Sequence, residues 1–398
     1  AIQAYIDTVK ALPAESVALT QAVRRVLAED QYSEIDLPRF DQSAMDGYAL
    51  RASDSQAAPS QLPVVNESAA GHSPASVLEA GTAWRIFTGA VVPEGADTVI
   101  PQERITLSDG KLQFVEPYPS GRNIRYRGEE IKAGSHLATS GQRLSPGLIA
   151  SLANAGMLDV AVIRKPRIAV LITGDEVRSP QSLRTKPLRD SEIPDSNGTY
   201  IQNWLAASGY TADSITHIAD TAQAVSGAIT VAAEQADLVI TTGGASVGDR
   251  DFIPSVAQEN GFEQIFWRVA QKPGKPIFFS RRDKTILLGL PGNPGAVLVG
   301  MEVHARTILN LLEGQLQPGP TWRSGKLSES VQTDARRDRL VRMRLTQDDN
   351  GQTLLSPLGK QDSHMLSNLA EAAVLAHVPS REQKYEPSEV LNYIELTT

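Results

Sequence analysis

The spacing of apolar residues along the first 30 positions (Ile2, Ile6 and Val9, then Val23, Val26 and Leu27) suits two helices separated near Pro13. From residue 36 to about 138 the pattern changes to short apolar runs broken by Gly, Pro, Ser and Asn, the texture of a small β domain inserted into a helical one. Within it, Asp109-Gly110 stands between the runs 105–107 and 112–115, which is a strong hairpin signal. Ser145 and Pro146 then offer an N-cap and a first-turn proline to a helix reaching residue 155, with Gly156 as its stop.

Between 166 and 313 the pattern alternates. Strand-like runs at 167–173, 215–218, 237–242 and 264–269 are interleaved with helical stretches at 200–207, 223–234 and one ending before Gly261. A short hairpin at 276–290 and a long helix at 295–312 follow. Such alternation predicts a doubly wound parallel α/β sheet, whose ligands sit beyond the carboxyl ends of the strands. After Gly314, short runs and the turn signal Asn350-Gly351 return, predicting a terminal β domain.

Composition narrows the function. A chain of 398 residues exceeds what one core usually supports, so several domains are expected. The formal net charge of -8 speaks against nucleic acid or an acidic membrane as partner, because both need a basic face. The absence of cysteine excludes disulfides, zinc-thiolate sites, iron–sulfur ligation and a cysteine nucleophile. No run approaches the roughly 20 apolar residues of a membrane helix, and no basic region followed by an apolar stretch opens the chain; a cytoplasmic location is expected. The histidines are scattered without metal-ligand spacing, which argues against a zinc hydrolase.

Candidate chemistry lies in the loops after the strands. Thr173-Gly174-Asp175-Glu176 puts two adjacent carboxylates at a strand end, either an acidic helix start or a seat for a hard cation such as magnesium. The run 241–249, with Gly243, Gly244 and Ser246, lets backbone amides approach a phosphate closely. Residues 244–248 also spell the Gly-x-Ser-x-Gly string of serine hydrolases. The helix that such an elbow requires would place Pro254 in its interior at a cost of about 3 kcal/mol, whereas with Asp251 as N-cap Pro254 falls in the first turn. Arg268, Lys272 and Lys275 concentrate three cations on a proline-stiffened segment, either an anion site or a solvated basic turn. Pro291 and Pro294 stiffen the loop before the long helix, whose amino end favours an anion. Elsewhere, Asp46 stands in Ser43-Ala44-Met45-Asp46-Gly47-Tyr48-Ala49, and Arg125 and Glu130 in the charged run 123–130, motifs that taken singly are more often surface turns and ion pairs than oxyanion sites.

These strings, in this order, resemble the MoeA family of molybdopterin molybdenumtransferases, related to the E domain of gephyrin. They are 43–49, Phe87-Thr88-Gly89-Ala90, 123–130, 173–176, 243–251, 272–276 and 290–294. The resemblance spans nearly the whole chain and implies a helical linker domain (1–40 and 139–165), an inserted β domain (41–138), an α/β molybdopterin-binding-like domain (166–314) and a C-terminal β barrel (315–398). It implies a magnesium-dependent homodimer that takes adenylylated molybdopterin and molybdate and releases AMP and molybdenum cofactor. The molybdopterin adenylyltransferase and recipient molybdoenzymes would be its further partners. Asp46, Thr88 and Arg125 would form the partner subunit's wall of the site. Glu176, Asp220, Asp251, Lys272, Pro291 and Pro294 would lie on the α/β domain, and Ser363 on the terminal domain. Glu176 and Asp251 would orient the metal or a hydrolytic water. Catalytic roles are expected for Asp46, Glu130, Glu176, Asp251 and Lys272, and substrate contacts for Gly243, Gly244, Ser246, Arg268 and Lys275. Two departures stand out: the family usually has Asp where this chain has Glu130, and Lys where it has Arg268. They leave open a second expectation, a scaffold or binding module of the same fold with weakened turnover.

Overall fold

The computed structural model describes residues 1–56, 60–244 and 252–397. Its centre is a six-stranded sheet in the order Ser214–Ile218, Ile168–Thr173, Leu238–Thr242, Thr285–Leu290, Phe278–Arg282, Glu263–Trp267. All six residues of Ile168–Thr173 are buried. Ile168, Val170 and Ile172 pack with Ile201, Trp204 and Met301 on one face, while Ala169 and Leu171 pack with Val225, Ile229 and Ile253 on the other. Burial on both faces explains why the run is continuously apolar rather than alternating. Each fully buried Ile or Leu contributes roughly 1.5–3 kcal/mol, so two-sided burial fixes these strands.

The sheet is doubly wound but not wholly parallel. Phe278–Arg282 runs antiparallel to both neighbours, because a two-residue turn at Asp283 (φ 52°) and Lys284 folds it straight back onto Thr285–Leu290. The long helix exists as Pro294–Val299 and Arg306–Leu312 joined by a π turn at Gly300–Ala305. An 18-residue window of mean hydropathy 1.2 makes it long and apolar enough to cross a membrane by length and composition, although Glu302, His304 and Arg306 interrupt the apolar run. Its apolar window is 78% buried inside the fold, as suits a core helix.

The amino-terminal expectation is half right. Ile2–Thr8 is a helix, with Tyr5, Val9 and Leu12 packed into the α/β core. No second helix forms near 23–27. Arg24 adopts φ 62°, which a right-handed helix excludes, and Val26 and Leu27 form isolated bridges to Arg143 and Val162. Ala14–Ala18 is instead a strand paired with Asp159–Ile163. Pro146–Asn154 is a helix, with the Ser145 hydroxyl accepting from the Leu148 amide, and Gly156 follows at φ 98°.

A second six-stranded sheet is built from 47–114, and the Asp109-Gly110 turn lies in it between Thr106–Ser108 and Lys111–Phe114. The C-terminal strands close on themselves, Asp338–Gln347 pairing with both Thr353–Pro357 and Val374–Val378, so the sheet is a barrel. Gln271–Lys272 pairs with Asp338–Arg339 and so joins the cation-rich segment to the barrel edge.

Candidate active site

Register places Ile218 beside Thr173, Ile172 beside Thr242, and Thr242 beside Leu290, so four strand ends share one rim. The loops leaving that rim, together with the barrel edge, enclose a cleft of about 1240 Å³. Glu176, Asp220, Gly243, Gly244, Lys272, Lys275, Pro291, Pro294 and Ser363 of the expected site all line it. The carboxylate loop and the cation loop therefore face one space.

Two glycines make the floor. Gly243 and Gly244 adopt φ 83° and 63°. A Cβ on Gly243 would lie 2.4 Å from Thr173 Oγ1, which itself donates to the Thr242 carbonyl. Both positions need glycine, because the backbone is left-handed and the space a side chain would take is filled by Thr173 and Ile253. Beside it, Gly174 adopts φ 132°, and a Cβ on it would come within 3.1 Å of both Glu176 carboxylate oxygens. The carboxylate thus folds over the bare glycine at the cleft edge. Asp175 differs: its Oδ1 accepts from the Asp220 amide and ties the two acidic loops together.

The opposite wall is cationic. The Val269 amide donates to the Lys275 carbonyl, closing the segment 269–275, and the Lys272–Pro273 peptide is cis. Arg337 and Arg339 enter the same cleft from the barrel edge. Arg337 is held by Asp334, and burial pushes the Arg339 guanidinium below its ordinary value. Asn293 caps helix Pro294–Val299, and the Gly295 amide donates to the Ser363 carbonyl at 2.7 Å. A Cβ on Gly295 would meet that same oxygen at 3.0 Å, so a glycine lets the barrel loop close on the helix. Arg342, only 4% exposed, holds the loop by donating to the carbonyls of Lys360, Asp362 and Met365.

Sequence reasoning missed Arg337, Arg339 and Arg342, because only the pairing of 271–272 with 338–339 brings the barrel to the rim. It also missed Asp195, which lines the cleft, accepts from the Gly198 amide as N-cap of Ser196–Ala207, and lies 2.9 Å from His217 Nε2. The N-cap signal in Asp195-Ser196-Asn197-Gly198 would have found it.

Five expected residues lie elsewhere. Asp46, Thr88, Arg125 and Glu130 are absent from the cleft lining and sit on the inserted β region. There the loops support one another: Ser43 donates to Ala90, Gly89 to Ser43 and Ala44 to Asn123 through backbone amides. Gly47 is required, since a Cβ would fall 2.0 Å from the Ile100 carbonyl oxygen. The Thr88 amide and hydroxyl both donate to Asp46 Oδ1 at 2.7 Å and hold its carboxyl below the usual range. Arg125 is exposed on a two-residue strand, and the Glu130 amide donates to the Leu37 carbonyl. Arg268, expected with the lysines, lines a neighbouring depression of about 530 Å³ instead, its guanidinium 4.5 Å from the Trp267 ring centroid. Its backbone is left-handed, at φ 77°.

Ser246 and Asp251 lie outside the described residues. The helix behind them begins at Ile253 with Phe252 rather than Asp251 as its N-cap, and Pro254 falls in its first turn, against the hydrolase elbow. Among the described residues no group of three His, Asp or Glu side chains could hold a metal by itself. Magnesium does not require one: it binds through one or two carboxylates together with substrate phosphates and water. Glu176, at the edge of the glycine floor, fits that donor set.

Family models match the chain in three consecutive pieces: the MoeA N-terminal region (domain I and II) over residues 1–156, a probable molybdopterin binding domain over 169–310 and the MoeA C-terminal region (domain IV) over 324–396. A Haemophilus influenzae protein named molybdopterin molybdenumtransferase is 35% identical, covering 89% of this chain and 86% of its own. A Staphylococcus aureus protein of the same name is 31% identical, covering 99% of this chain and 94% of its own. The chain belongs to the MoeA family. A crystal structure of the molybdopterin biosynthesis MoeA protein of Pyrococcus horikoshii superposes with a TM-score of 0.84 at 28% identity, covering 100% of this chain and 98% of the other. The MoeA fold thus extends from the first helix to the barrel.

Proposed function

We propose that this chain is a cytoplasmic molybdopterin molybdenumtransferase that inserts molybdate into adenylylated molybdopterin and releases AMP. One observation carries the reading: Glu176 on one wall and Lys272 and Lys275 on the other line a single cleft floored by Gly243 and Gly244. The floor receives the phosphates through bare backbone. The lysines, with Arg337 and Arg339, hold the oxyanion by charge-assisted hydrogen bonds, each contributing roughly 1.5–3 kcal/mol. Glu176 orients magnesium, which when bound neutralises charge on the phosphates. The sulfurs that finally hold molybdenum come from the pterin, and a chain without cysteine offers them no rival.

The Asp46–Thr88 patch completes the site from a partner subunit in a homodimer. Support comes from its exposed surroundings: Phe40, Met45 and Tyr126 are each 40% or more exposed around charged groups that are already hydrogen-bonded in place. The scaffold reading is weakened by the position of Arg268 outside the cleft, since its departure from lysine leaves the cationic wall intact. The decisive test supplies adenylylated molybdopterin and magnesium to the purified chain. Molybdate is expected to trigger AMP release; release that ignores molybdate would falsify the assignment.

A further inference from the structure

Three hydrogen bonds, the first buried and the next two part-buried, lead from the first helix of the chain to the cation loop. Tyr5, fully buried on Ile2–Thr8, lies with its hydroxyl 2.7 Å from His304 Nδ1. His304, 3% exposed in the π turn, lies with Nε2 2.9 Å from Gln271 Oε1. The Gln271 amide nitrogen donates to the Pro273 carbonyl at 3.1 Å.

Donor chemistry gives the chain one direction. Because the Gln271 amide nitrogen is spent on a carbonyl, its oxygen faces His304, whose Nε2 must carry the proton. Nδ1 is then an acceptor, and the Tyr5 hydroxyl donates its hydrogen bond to it. Burial holds the imidazole down to about 3, so it stays neutral and its tautomer stays fixed near neutral pH. The chain ends inside the loop: a Cβ on Gly274 would lie 2.7 Å from Gln271 Nε2, so the amide packs directly on the peptide between the two lysines. Tyr5 is itself fixed by edge contact with Phe279 at 4.7 Å.

We propose that Gln271 and His304 are positioning residues for the oxyanion site, fixing through the Pro273 carbonyl where Lys272 and Lys275 hold their charges. This rests on the molybdate reading above. The experiment measures molybdate KM, kcat and melting temperature in Gln271→Leu and Tyr5→Phe, and the ¹⁵N signals of His304 in the unmodified chain. Gln271→Leu is expected to raise KM about tenfold with kcat nearly unchanged, because it removes both the bond from His304 and the bond to the Pro273 carbonyl that holds the binding loop. Tyr5→Phe, which cuts only the outermost link, lowers the melting temperature at least as much but moves KM by less than about twofold. The ¹⁵N signals are expected to show a neutral ring protonated at Nε2. A proton on Nδ1, or KM changes that simply follow the melting temperatures, would overturn the proposal. If the unmodified chain shows no molybdate dependence, the functional reading fails separately, and amide exchange at Gly274 and Lys275 decides this one. Faster exchange in Gln271→Leu supports it and unchanged exchange overturns it.

Discussion

The rim of the α/β sheet and the β-region patch around Asp46 hold their charged groups by opposite means. On the rim, positions are set by strand ends whose residues are buried, and the side chains that matter reach into a cleft of about 1240 Å³. On the patch, loops bond to loops, and the Thr88 amide and hydroxyl hold the Asp46 carboxylate on a surface outside that cleft. In the proposed homodimer such a surface is half of a site: the rim binds and the patch completes, each within its own frame, so that closing the site is a matter of docking one frame on the other.

The sharpest way to break that comparison is to mix subunits. Lys272→Ala disables the rim and Asp46→Ala disables the patch, so each homodimer should fall to near background in molybdate-dependent AMP release. If each site takes its rim from one subunit and its patch from the other, half of the randomly mixed dimers are hybrids carrying one intact site of two. Activity should then return to about a quarter of the unmodified level. Mixtures that stay at background would show that rim and patch serve one subunit only, and a monomer in solution would remove the premise.

A smaller effect sharpens the rim itself. Gly243→Ala puts a Cβ 2.4 Å from Thr173 Oγ1 at a φ of 83°, so the floor must shift or strain. The expected cost is on the order of 1–3 kcal/mol in denaturant unfolding, with weakened binding of an adenine nucleotide. Gly89→Ala on the patch makes the control. Its φ is 80° but nothing lies within 4 Å of the added atom, so a lesser loss without effect on nucleotide binding is expected. Equal losses at both positions would mean that backbone strain alone matters and that the close approach to Thr173 is irrelevant.

How much of this was legible in the sequence follows the same division. The rim was readable because continuous apolar runs such as 168–172 admit few alternatives, and the loops after them carry Gly, Lys and Glu in compact strings. The patch was readable only through resemblance, since Asp46 and Thr88 are distant in sequence and no local spacing predicts their contact. Two kinds of information were hidden. Arg24 has a helical neighbourhood in sequence but a left-handed backbone in the fold, which removed an expected helix. Arg337, Arg339 and Arg342 reach the cleft or its loop only because a two-residue strand pairs with the barrel edge, a tertiary event that periodicity cannot register.

The smallest expected effect concerns Arg268, where the chain departs from the family's usual lysine. Were Arg268 a member of the cationic wall, changing it would alter the oxyanion contact directly, because a planar fork and a point charge are not interchangeable at a bound anion. The structure instead stacks its guanidinium on Trp267 at 4.5 Å and lodges it in the depression behind the wall, where Lys275 and Arg337 also border. Arg268→Lys keeps the charge and loses the stack, a contribution of roughly 0.5–1 kcal/mol at an exposed site. Molybdate KM should therefore move by less than about twofold while the melting temperature drops slightly. A tenfold change in KM would place Arg268 back among the anion-binding groups, and the separation between the wall and the depression behind it would have to be abandoned.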